Sequence, residues 1–237
     1  MDAAMYKALS GAVVQMRRLE VTAQDLANVN TSGYKGERLS FGEVLANRLP
    51  PDERPGGLVA VASQRTNFEQ GEMQPTGNPF NLALQGDGFF VVQTSRGARY
   101  TRNGAFTVKA DGMLITSQGD AVLGEDGPIQ ITGVKMAVAG DGTVTSDDGQ
   151  VGKIKIVRFA DSRQVAKEGA NLLISAPGNV QETADPRVLQ GSLEQSNVSP
   201  IDGMVSLIAL NRQFEASQRA MTLMDSVTQK MLSAGAS

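Results

Sequence analysis

Apolar residues return every third or fourth position along the first thirty residues: Met5, Leu9, Ala12, Met16, Leu19, Ala23 and Leu26. Alternating steps of four and three make a seam of period 3.5, the spacing of a left-handed supercoil with a partner helix. The stretch from Asp2 to Asn30 has no Pro, and no Gly after Gly11. The predicted helix is therefore unbroken and roughly 40 Å long. Two Ala narrow the seam, which favours close approach and weak pairing.

The other end of the chain repeats the device. Ser199 is a good N-cap, Pro200 suits the first helical position, and Asp202 follows the cap by three residues. From there Leu207, Leu210, Phe214, Ser217, Met221, Met224, Thr228 and Met231 recur at threes and fours, beside a second stripe of Ile201, Val205 and Ile208. Residues 199–237 hold only three basic and three acidic side chains. The predicted helix is thus apolar over more than one face near its start, more than a single partner helix covers.

Between the helices the pattern shortens to strands and tight turns. Asp87-Gly88, Asn103-Gly104, Asp111-Gly112, Asp126-Gly127, Asp141-Gly142 and Asp148-Gly149 are hairpin-type dipeptides. Residues 89–93, 105–109, 113–116 and 153–159 read as strands, whereas "LPPDERPGG", Leu49 to Gly57, reads as a polar linker. The expected fold is α+β: long N- and C-terminal helices pairing as a coiled coil, with an inserted antiparallel β-rich domain. The expected division is a terminal-helix core of 1–36 with 197–237, an extended linker segment over 37–80, and a β-rich domain over 81–185.

Composition narrows the chemistry. The 237 residues include neither His nor Cys, which removes His-based triads, thiol nucleophiles and nearly all zinc, haem and iron–sulfur ligation. A net charge of −3 gives no electrostatic footprint for nucleic acid or an anionic membrane. The N-terminus lacks a basic stretch followed by an apolar core, so no cleaved signal peptide is expected. The apolar run near Met204 to Leu210 is too short to span a bilayer.

"GDGFF", Gly86 to Phe90, starts like a phosphate loop but lacks the third Gly and opens a strand. "DGTVTSDDG" lacks the ligand spacing of a calcium loop. Paired carboxylates could serve a glycosidase, yet nothing selects a pair and there is no Trp to stack a sugar. No cofactor or metal is expected. An interaction protein is the favoured reading, because repeated contact with other copies would bury the surplus apolar face and build a filament if the contact does not close. A carbohydrate-active β-domain and a monomeric binding module are the alternatives.

Three strings add a resemblance. "LANVNTSGYK" (Leu26 to Lys35) is similar to the N-terminal signature of the flagellar rod and hook family, with Leu26, Ala27, Asn28, Asn30, Thr31, Gly33, Tyr34 and Lys35 as its signature positions. Gly86 to Gly124 resembles the family's β-domain motif, through Gly86, Gly88, Phe89, Phe90, Tyr100, Thr101, Arg102, Gly104 and Phe106. Gly191 to Met221 resembles its C-terminal signature. Where the family has paired Asn before the Leu-Ala-Asn string, this chain has Gln24-Asp25. The compact length, "SFGEVLA" (Ser40 to Ala46) and "NPFNLALQGDGFF" resemble the proximal rod members most, with the distal rod members as the alternative.

The resemblance implies a non-enzymatic axial subunit of the bacterial flagellar basal body, lying in the periplasmic rod and polymerising into a hollow helical shaft that carries torque from motor to hook. The implied partners are copies of itself, other rod proteins and, in transit, the flagellar type III export apparatus, with no nucleic acid and no membrane insertion. The helix seams, Met5 to Leu26 and Ile201 to Met231, would be the assembly surfaces. Read on its residues alone, the opening string is a helix stop: Gly33 can turn left-handed, Tyr34 can pack back near Val29, and Lys35 suits the negative end of the helix dipole.

Overall fold

The computed structural model describes residues 2–44, 58–133, 135–169 and 171–235. The Pro/Gly stretch Leu49 to Gly57 and the last two residues of "SFGEVLA" lie outside them, as do the side chains of seam positions Met5, Thr228 and Met231. The chain forms two compact units. The first gathers Met1–Ala27, Glu37–Arg65 and Ser199–Ser237; the second gathers Asn28–Gly36 and Thr66–Val198.

In the first unit, helix α1 (Asp2–Ala27) and helix α2 (Pro200–Gly235) accompany a two-stranded sheet of β1 (Glu37–Val44) and β2 (Leu58–Thr66). The start of α2 is held by Ser199, whose Oγ accepts from Asp202 N at 3.4 Å and whose carbonyl accepts from Gly203 N at 3.0 Å. The last turn of α1 is tied to β1 through Asp25, whose carboxylate accepts from Glu37 N at 3.2 and 3.3 Å. No helix among the described residues is long and apolar enough to cross a membrane.

The α+β class with terminal helices stands, but the expected coiled coil is corrected. Of the α1 seam, Ala12 is buried, Leu19, Ala23 and Leu26 are half-buried, and Leu9 and Met16 are 51% and 48% exposed. Among the described side chains the other buried ones of α1 are Val14 and Val21, which lie off the seam. No described side chain of α2 is fully buried. Knobs-into-holes pairing would cover one continuous seam instead. Helices α1 and α2 do lie against each other, but not along one closed seam: a groove of about 430 Å³ stays open between them, lined by Val21, by Leu39 of β1 and by Leu210 of α2. Period-counting on two helices cannot foresee a third element sharing α1's apolar surface.

The second unit is built from short antiparallel strands: β3 (Met73–Pro75), β4 (Leu82–Leu84), β5 (Phe89–Thr94), β6 (Gly97–Thr101), β7 (Phe106–Val108), β8 (Leu114–Thr116) and β9 (Ala121–Val122). A meander follows, β10 (Met136–Val138), β11 (Thr143–Ser146) and β12 (Gly149–Lys153). Then come β13 (Ile156–Phe159), β14 (Val165–Glu168), β15 (Leu172–Ser175), β16 (Val180–Glu182), β17 (Val188–Gln190) and β18 (Ser192–Glu194). The largest sheet runs β14-β15-β6-β5-β9-β8-β7, with β13 joining β5 and β16. Late strands return to early ones, since β17 pairs β4 and β18 pairs β3.

Strand β5 explains where the core sits. Successive side chains point to opposite faces of a strand, and Phe89, Phe90, Val91 and Val92 are all buried. Phe90 and Val92 enter a core with Leu82, Phe106, Leu114, Val144 and Ile154, while Phe89 and Val91 enter a second with Val157 and Leu173. Phe90 meets Phe106 edge to face, ring centroids 5.2 Å apart. Gly104 lets the chain return against β4: Leu82 N donates to Gly104 O at 3.0 Å, and a Cβ at Gly104 would overlap the Leu82 carbonyl, with its carbon only 2.7 Å away. Replacing Gly104 with Ala is expected to lower the unfolding free energy of this unit by at least about 3 kcal/mol in urea titrations followed by near-ultraviolet circular dichroism; an unchanged midpoint would refute the packing account.

Candidate functional site

The opening string leaves the helix early and joins the β-body. Helix α1 ends at Ala27, and Thr31 N closes a turn onto Asn28 O at 3.0 Å. Gly33 has φ +70° and lies six residues beyond the helix. Its N–H donates to Glu194 O at 2.7 Å. A Cβ there would sit within 2.7 Å of Arg102 O and closer still to Asn103 N. The glycine is thus required by close backbone approach as well as by its positive φ. Tyr34 is 1% exposed, and the Lys167 ammonium lies 4.1 Å from its ring centroid. Asn28 and Thr31 are half-buried, and Asn30 and Ala27 are exposed.

Lys35 goes to a buried carboxylate rather than to the end of the helix. Its ammonium donates to Glu194 Oε1 at 2.5 Å and to Glu69 O at 2.7 Å. Glu194 Oε1 also accepts from Gly71 N at 2.9 Å, while Oε2 accepts from Arg102 Nη1 at 3.1 Å. Arg102 further donates through Nη1 to Leu84 O at 3.1 Å and through Nη2 to Gly86 O, and its guanidinium lies 5.1 Å from the Phe89 ring centroid. All three charged side chains are at most 3% exposed. Charges this deeply buried persist only when paired and hydrogen-bonded.

The β-domain motif therefore has a physical job. Gly86 supplies an acceptor, Arg102 the reach, Phe89 a ring beneath it, and Gly104 and Gly88 the close approaches around it. Thr101 pairs with Phe90 and Tyr100 with Val91 across β5–β6, while Phe106 fills the core behind. The seam residues of α1 and α2 lie in the first unit, and there α2 keeps Ile201, Val205 and Ile208 outward; Leu207, Leu210, Phe214 and Met221 are half-buried and Met224 is exposed.

Sequence periodicity missed Glu194, Glu69, Gly71 and Asn197. The Lys35–Glu194 pair spans 159 positions, so no local pattern could join them. The usable signal was the pairing rule itself, which asks every buried cation for a partner. Elsewhere, a polar cleft of about 410 Å³ near Gly86 and Thr183 carries Asp87 and Asp185 beside Arg158 and Arg187.

Charge counting sets the energetics. Two cations share one carboxylate, so removing Lys35 leaves a balanced Arg102–Glu194 pair, whereas removing Glu194 leaves two buried cations. Glu194→Gln is expected to cost about 3–5 kcal/mol in urea unfolding. Lys35→Met is expected to cost less, about 1.5–3 kcal/mol; the reverse order would refute the count. Burial pushes the Lys35 ammonium below its ordinary 10.5, against the opposing pull of Glu194. Between its folded value and 10.5 the unfolded chain holds more protons, so Lys35 makes stability rise with pH across that window. Comparing wild type with Lys35→Met from neutral to alkaline pH should show that rise lost in the variant.

Comparison with known proteins agrees with the motifs. Residues 83–181 match the family described as Flagellar hook protein FlgE/F/G D1 domain, and residues 189–234 match Flagellar basal body rod FlgEFG protein C-terminal. The first match spans Arg102 and the motif around it; the second spans Glu194 and α2 through Ala234. The chain is 37% identical over 228 residues to the flagellar basal-body rod protein FlgF of Caulobacter vibrioides, covering 93% of each. It is 34% identical over 242 residues to FlgF of Salmonella typhimurium, covering 95% of each. It is 31% identical over 252 residues to the flagellar basal-body rod protein FlgG of Borreliella burgdorferi, covering 94% of this chain and 95% of that one. The chain belongs to the flagellar basal-body rod protein family and is most like its FlgF members.

Proposed function

We propose that the protein is a structural subunit of the bacterial flagellar basal-body rod, and not an enzyme. It polymerises with copies of itself and with other rod proteins into a hollow helical shaft that carries torque from motor to hook. Its place is the periplasmic part of the rod, on the proximal side, reached through the flagellar type III export apparatus. The terminal helices provide the assembly surface, and the β-body provides lateral contacts and stiffness.

One observation carries this reading beyond family membership. Helix α2 exposes Ile201, Val205 and Ile208 at 73%, 63% and 55% on successive turns, with Met204 beside them. A contiguous apolar stripe on a soluble chain is costly unless something covers it. A filament lattice covers it many times over, and torque spread across many small contacts needs no single strong one.

Ile208→Asp tests the surface role, because the side chain is exposed and its loss should change monomer stability by no more than about 0.5 kcal/mol. The variant is expected to be exported and folded yet absent from purified basal bodies, leaving cells non-motile. Basal bodies containing the variant at wild-type levels would overturn the reading.

A further inference from the structure

The chain passes between its two units four times, at 27/28, 36/37, 65/66 and 198/199. The residues on the β-body side of the last three crossings form one hydrogen-bonded knot. Asn197 sits at its centre. Its Oδ1 accepts from Gly36 N at 2.8 Å, its Nδ2 donates to Asn67 O and Glu69 O at 2.9 Å each, and its N–H reaches Tyr34 O at 3.4 Å. Asn67 N donates to Gly36 O at 2.8 Å. The Glu194 cluster adjoins it through Lys35 and Glu69, so the string, the third crossing and the last strand share the same partners.

We infer that this knot is a clasp that makes residues 28–36, the 66–69 segment and the approach to α2 open and close as one cooperative unit with the β-body. Residues 28–36 fold with the β-body and stay fixed to it whether or not the terminal helices are ordered, and the exits of both helices are released or held together. Two observations support this. The clasp's anchors, Tyr34, Lys35, Arg102 and Glu194, are buried as deeply as the β-core. Helix α2, in contrast, has no fully buried described side chain, and helices lacking a packed face are marginal in water. The inference does not depend on what the helices bind.

Hydrogen exchange on the full-length monomer, read by mass spectrometry, tests it. Peptides covering 28–36 and 194–198 should be protected like those of β5–β6, and peptides from α2 should exchange faster. Asn197→Ala removes the clasp's centre without leaving a buried charge; it should speed exchange at both 28–36 and 66–69 by about tenfold or more while β5–β6 is unchanged. Glu194→Gln should loosen both helix exits together. The clasp is overturned if 28–36 exchanges at the rate of α1, or if either variant loosens one crossing and leaves the other protected. Protection at β5–β6 shows in the same experiment that the variants are folded.

Discussion

A single buried carboxylate, Glu194, organises the region where this chain changes from helix to β-body. It accepts from Lys35 in the opening string, from Arg102 after β6 and from the Gly71 amide ahead of β3. An ion group at this depth is costly to assemble and more costly to break. Each partner therefore holds the others in place: if Lys35 is to reach Glu194, Gly33 must lie on the Arg102–Asn103 backbone, and only glycine allows that approach. The last strand, β18, pairs with β3 and carries the carboxylate to its cations.

This arrangement divides the molecule by physical character. The β-body is self-sufficient, with two cores on opposite faces of β5 and its most deeply buried charges paired internally. The unit holding the helices is not, because its apolar surface is spread over α1, α2 and β1 and much of it faces outward. A rod subunit needs both properties. A rigid body transmits load, and an unsatisfied helical surface makes assembly favourable without strong pairing in the monomer.

The parts legible in the sequence were those written in local periods. Helical spacing located α1 and α2, Ser199 and Pro200 placed the start of α2, and Asp111-Gly112, Asp141-Gly142 and Asp148-Gly149 marked hairpin turns, whereas Asn103-Gly104 proved a close backbone approach and not a turn. The supercoil was misread because the 3.5 period of Met5 to Leu26 says where apolar groups lie, not what covers them. Val14 and Val21, off that seam, were buried instead, and Leu39 shares the groove with Val21. The string "LANVNTSGYK" looked like a helix end because Gly33 and Lys35 have ordinary roles there. Its actual partner lies 159 positions away from Lys35, beyond any window in which periodicity operates.

Heteronuclear NMR of the lysine ammonium groups in the full-length monomer tests the buried cluster most directly. Ammonium protons that are shielded from water and bonded to a carboxylate exchange slowly enough to be observed. The account predicts a protected ammonium signal at neutral pH that disappears in Lys35→Met and is lost to rapid exchange in Glu194→Gln. A wild-type spectrum in which Lys35 exchanges as fast as the solvent-exposed lysines would contradict it.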